Sequence, residues 1–145
     1  YRQRLEALQT TLRYGPLMAL QRGLEKTWEI VTLTGQVLFN LVTGDVSLRT
    51  LSGPLTIAEY AGVTAAAGLA TFLAFLGLLS VSLGVLNLLP IPMLDGGHLL
   101  FYAIEAVRGR PLSDASLDLA QRVGIVLLAG LMSLAFYNDL LRMFG

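Results

Sequence analysis

The chain has 145 residues, 54% of them hydrophobic and only 14% charged, with zero formal net charge and no cysteine. Soluble domains carry about 25% charged residues, so the composition points to a membrane domain. Zero net charge leaves no nucleic-acid-binding footprint, and the missing cysteines exclude disulfides and thiolate metal sites.

The first residues, Tyr1-Arg2-Gln3-Arg4, are polar, lack an initiator Met and do not look like a signal peptide, so the chain reads as a piece of something longer. Between Tyr1 and Tyr14, Leu5, Leu8 and Leu12 have helical spacing, while Thr10 to Tyr14 reads equally well as a strand. Gly15-Pro16 then punctuates the chain. Residues 17–43 read as an amphipathic helix. Leu17, Leu20, Leu24, Trp28, Val31, Leu38 and Leu41 share one side, and Gln21, Glu25, Glu29, Thr32 and Gln36 share the other. Such a helix packs on a soluble core or lies in a membrane interface with Trp28 at headgroup depth, and the apolar remainder of the chain favours the interface. Gly44 is its expected C-cap.

Residues 44–56 form a connector with a turn at Ser52-Gly53-Pro54. Residues 57–89 are expected to be the first membrane-spanning helix. From Tyr60 to Leu94 there is no Lys, Arg, Asp, Glu or His. That run exceeds the roughly 20 residues a bilayer needs, leaving room for a tilt, a bend or an approach segment near Glu59 and Tyr60. Ala70 with Ala74, and Ser80 with Gly84, form small-xxx-small pairs that let another helix approach closely. Pro90 and Pro92 stop the regular helix. Irregular backbone at membrane depth is tolerated where protein buries it or water reaches it, so the segment from Leu89 to Asp95 is expected to line an enclosed cavity.

Residues 90–112 hold this loop and a short helix, Gly96 to Val107, before the turn at Gly109-Arg110-Pro111. Residues 113–143 are the second span, with Ser113 and Asp114 as N-cap candidates, Arg122 and Asp139 snorkelling from its ends, and Ala120 and Gly124 as a close-packing patch. Arg108, Arg110 and Arg122 favour a cytoplasmic position for the loop between the spans. The fold class is thus an all-α membrane protein, with an amphipathic interfacial helix and two transmembrane helices joined by a broken-helix loop.

Asp95 is the chemically informative residue, because an acid at the edge of a long apolar run is costly unless paired, hydrated or metal-bound. Three readings compete. As an N-cap of the short helix it is explained cheaply, but neither the Gly96-Gly97 pair nor the two prolines are. As half of an aspartyl dyad it needs a second Asp at the same depth, and Asp139 lies at the far end of its span. As a zinc ligand it needs partners, since catalytic zinc takes three protein ligands. The single histidine, His98, cannot complete such a site, and there is no H-E-x-x-H.

The stretch Asn87-Leu-Leu-Pro-Ile-Pro-Met-Leu-Asp95-Gly-Gly-His98 resembles the second metal motif of the site-2 protease family, and Leu51-Ser-Gly-Pro-Leu-Thr-Ile-Ala58 resembles the segment leading into the helix that carries it. The resemblance covers essentially the whole chain. It implies that residues 1–16 are a remnant following a PDZ domain, and that Asp95 is the third ligand of a Zn2+ shared with two histidines outside this chain. It further implies that Asn87 holds substrate backbone and that Pro90 and Pro92 belong to the same substrate-binding loop. His98 has no assigned role. The implied protein is a multi-pass metalloendopeptidase of the bacterial inner membrane. Its partners would be the lipid bilayer, its own N-terminal half and a single-span membrane substrate such as an anti-sigma factor, with no nucleic acid. The general-base Glu lies outside this sequence with the H-E-x-x-H helix, so no catalytic residue is assigned here and the isolated chain is expected to be inactive. The alternative is a non-catalytic hairpin of a transporter or scaffold.

Overall fold

The computed structural model describes residues 13–45 and 47–145. The expected PDZ-domain remnant at 1–16 lies, as far as residue 12, outside the described residues. The rest is helical: α1 (Pro16–Thr43), a single 3-10 turn (Leu48–Thr50), α2 (Pro54–Ala67), α3 (Leu69–Asn87), α4 (Asp95–Arg108) and α5 (Asp114–Phe144).

The polar face of α1 carries exposed ion pairs, Arg22–Glu25 at 3.2 Å and Lys26–Glu29 at 2.7 Å. Such exposed pairs contribute at most a few tenths of a kcal/mol. Gly44 ends the helix as expected, in the left-handed region at φ 84°. The apolar face is used in halves. Val31, Thr34, Leu38 and Leu41 are half-buried against α3, with Thr34 Oγ1 3.4 Å from Ser82 Oγ. Leu17, Leu20, Leu24 and Trp28 remain exposed, Trp28 at 69%.

The helix expected over 57–89 is interrupted. Gly68 sits at φ 122°, ψ 163° and separates α2 from α3. That conformation is essentially restricted to glycine. The Gly68 N–H closes the last turn of α2 on the Ala65 carbonyl, and the Gly68 carbonyl starts α3 by accepting from Phe72. The 19 residues of α3 rise ~28 Å, enough for a hydrocarbon core of about 30 Å. The candidate spanning unit is therefore α3, and α2 is a separate helix that packs on α5. Both α3 and α5 are long and apolar enough to cross a membrane.

The short helix begins one residue earlier than expected, at Asp95, and closes on Gly109 at φ 69°. The Glu105 side chain accepts from the Leu112 N–H at 2.9 Å and ties α4 to the following turn. Ser113 caps α5, accepting from the Ser116 N–H at 3.3 Å.

Among the described residues, those buried are Gly53, Gly96, Gly97, Gly124, Ala135, Asn138 and Asp139. Large apolar side chains face outward along all five helices. A water-soluble domain does not expose apolar surface on this scale. Membrane helices, which gain little from hiding Leu from lipid, associate through small and polar residues instead.

Candidate metal-ligand loop

The loop between α3 and α4 is built by local turns. Leu88 and Leu89 donate to the carbonyls of Val85 and Leu86, ending α3 in a tightened turn. Ile91 then donates to Leu89 at 2.7 Å and Leu94 to Ile91 at 2.8 Å. Pro90 and Pro92 have no N–H to give, so the α-helical ladder cannot continue through them.

Gly96 and Gly97 explain themselves in three dimensions. A Cβ on Gly96 would fall inside the carbonyls of Leu88 and Leu89, and one on Gly97 inside the Ile91 carbonyl and 2.7 Å from the Pro92 Cα. The first turn of α4 thus rests directly on the loop backbone. Gly124 of α5 closes the other side, where a Cβ would stand 3.0 Å from Met93 Cγ and 3.3 Å from Pro92 Cβ. Three glycines therefore hold the loop in place by close approach, and the patch expected at Gly124 is in use.

Asp95 is the first residue of α4, and Leu94, at φ −102° and ψ 162°, occupies the N-cap position. The capping reading of Asp95 is corrected accordingly, since Leu94 and not Asp95 holds the cap position. Its carboxylate is exposed and forms no hydrogen bond or ion pair among the described residues. An anion in the first turn is favoured by the helix dipole. Asn87 is the last residue of α3, exposed, with its amide likewise unpartnered among the described residues. Pro90 is exposed and Pro92 half-buried between them in sequence. His98 is exposed, in edge-to-face contact with Phe101 at 6.4 Å between ring centres.

As a metal centre the loop offers one oxygen donor. The described residues contain no cluster of three His, Cys, Asp or Glu side chains able to hold a metal ion. A free carboxylate on a braced loop fits one ligand position of a catalytic zinc, which takes three from the protein, and the remaining positions cannot be filled from the described residues.

Sequence reasoning missed the role of Asp139. It does not snorkel. It is 1% exposed, the most deeply buried large side chain described. Its Oδ1 accepts from the Gly53 N–H at 2.9 Å and from the Thr56 hydroxyl, and its Oδ2 from the N–H groups of Leu55 at 2.9 Å and Thr56 at 3.2 Å. The aspartyl-dyad reading fails on the same ground, because both oxygens of Asp139 are committed to the start of α2. Its neighbours complete a clamp on the connector. Asn138 donates to the Leu48 carbonyl at 2.9 Å, and Arg142 to the Arg49 carbonyl at 2.9 Å and to Ser52 Oγ at 3.2 Å.

Comparison with known proteins gives consistent matches. The family described as Peptidase family M50 matches residues 7–131. The chain is 50% identical over 131 residues to Regulator of sigma-E protease RseP of Escherichia coli (strain K12), covering 90% of this chain and 29% of that protein. It is 48% identical over 138 residues to RseP of Salmonella typhimurium, covering 95% of the chain and 31% of the relative. It is 49% identical over 134 residues to Regulator of sigma E protease of Haemophilus influenzae, covering 92% and 30%. The chain thus spans about 30% of the length of these relatives.

Proposed function

The chain belongs to peptidase family M50, the site-2 proteases, and from that membership we propose that it supplies the second metal motif of an intramembrane zinc metalloprotease. The observation that carries this reading is Asp95, a carboxylate without a partner among the described residues, at the head of a helix that Gly96, Gly97 and Gly124 seat against the loop. Bound zinc would supply Lewis acidity and an activated water for peptide hydrolysis. Asp95 would be one of its ligands, and two histidines of the N-terminal half the others.

The roles of the remaining residues follow from their chemistry. A peptide bond in a helix is shielded by its own hydrogen bonds, so a transmembrane substrate must unwind before it is cut. Asn87 offers an amide donor and acceptor to an extended backbone. Pro90 and Pro92 keep the neighbouring chain from closing into a helix, which leaves an irregular backbone beside the extended substrate. The exposed apolar stripe Leu17, Leu20, Leu24 and Trp28 on α1 is the surface that steers the substrate helix. Relatives are named regulators of sigma-E; in this reading the substrate is a single-span anti-sigma factor and the enzyme sits in the bacterial inner membrane. In this reading residues 17–43 form the membrane-surface helix, 57–89 and 113–143 carry the spans, and 90–112 carry the ligand loop.

Asp95→Asn in the full-length protein tests the reading. It keeps the side-chain size and removes the anionic ligand. Proteolysis of a membrane-embedded substrate should fall by more than the roughly 10–100-fold that follows loss of a metal's outer-shell partner, with membrane insertion intact. Wild-type cleavage by the variant would remove Asp95 from the zinc site.

A further inference from the structure

At the opposite end of α5 from the ligand loop, a cleft of about 560 Å³ opens between the start of α2 and the last turns of α5. Glu59 and Tyr60 stand on its α2 side, Arg142 and Met143 on its α5 side, with Val63 adding an apolar wall. Glu59 is the one charged residue between Thr50 and Leu94. It is exposed and forms no hydrogen bond or ion pair among the described residues. Arg142 shares the cleft but does not bridge to Glu59. Its guanidinium is oriented by Ser52 Oγ and the Arg49 carbonyl, which leaves further N–H groups of its five free. Asp139 also lines the cleft and keeps its negative charge, but at 1% exposure and with each oxygen already accepting two hydrogen bonds it has no acceptor site left for a ligand. The cleft therefore presents one open anion, one open cation and an apolar wall.

Its place in the fold limits what can fill it. The 31 residues of α5 rise ~46 Å, beyond the roughly 30 Å hydrocarbon core, and its uncharged stretch ends at Asn138, so the last turn, with Arg142, reaches headgroup depth. A ligand there that matches both charges is a zwitterion with an apolar tail. We propose that the cleft binds the headgroup of a phosphatidylethanolamine-type lipid, with its phosphate on Arg142, its ammonium on Glu59 and its acyl chains along Val63 and Met143. A primary ammonium donates hydrogen bonds to a carboxylate, whereas the quaternary ammonium of a choline headgroup has no N–H to donate. An anionic glycerol headgroup would leave Glu59 facing a like charge.

The test uses the full-length protein in nanodiscs holding equal amounts of ethanolamine, choline and glycerol phospholipids, with retained lipids identified by native mass spectrometry. Wild type should retain the ethanolamine lipid several-fold over the other two. Glu59→Gln, which disturbs no contact within the described residues, should lose the preference over choline lipid while still holding phospholipid. Arg142→Gln should weaken retention of all three. Equal retention by wild type, a preference for the glycerol lipid, no retained lipid, or an unchanged preference in Glu59→Gln would each overturn the proposal.

Discussion

The residue that most constrains this chain is Asp139. Helix α2 starts with N–H groups that have no partner inside the helix, and its N-cap, Gly53, has no side chain to offer them. Asp139 supplies from another helix, 86 residues away, what a capping side chain normally supplies locally. Gly53 must be glycine for this to work, because a Cβ there would stand 2.8 Å from the Ala135 carbonyl and against Asp139 itself. A buried carboxylate is tolerable because its acceptor sites are filled. Asp139→Ala should therefore lower the thermal midpoint of the full-length protein in detergent. Asp139→Asn, which keeps one oxygen but turns the other acceptor into a donor aimed at N–H groups, should lower it as well. A midpoint unchanged by both substitutions would show that the clamp contributes nothing to holding α2.

At the scale of elements, legibility in the sequence follows the range of the signal. The loop before Asp95 is marked by neighbours in the chain, Pro90, Pro92, Gly96 and Gly97, and it stands where they place it. The break at Gly68 is not marked in this way. Gly62, Gly77 and Gly84 lie in the same apolar run and sit inside regular helix, so residue type alone does not tell which glycine will open the chain. The pairs Ala70/Ala74 and Ser80/Gly84 face outward here, with nothing within 4 Å of a Cβ on Gly84. The amphipathic pattern of α1 was legible as well, but not its division into a half seated on α3 and a half left exposed. That division makes a testable claim. Proline inside a helix costs about 3 kcal/mol or more, and Trp28 lies at the boundary between the two halves. Trp28→Pro in the full-length protein should reduce cleavage of a membrane substrate while zinc content stays at the wild-type level. Cleavage at the wild-type rate would take α1 out of the substrate's path.

For the whole molecule, the distribution of burial and the metal chemistry lead to the same expectation. The described interior consists of glycine, alanine and one Asn–Asp pair, and the apolar bulk faces outward. Position in this chain is set by close approach and directed hydrogen bonds, which act without a metal. The helix start that carries Asp95 is thus held by the close approach of Gly96, Gly97 and Gly124. Holding one proposed ligand in place is not the same as binding zinc, however. Affinity comes from several donors acting together, and catalytic sites take three from the protein. Residues 1–145 purified alone in detergent should therefore contain far less than one zinc per chain by elemental analysis, and should cleave no membrane substrate. Adding the N-terminal half in trans should raise the zinc content toward one per complex, and Asp95→Asn should prevent that rise. Tight, stoichiometric zinc on the isolated chain would mean that its own residues complete a site, and the proposed division of ligands between the two halves would be wrong.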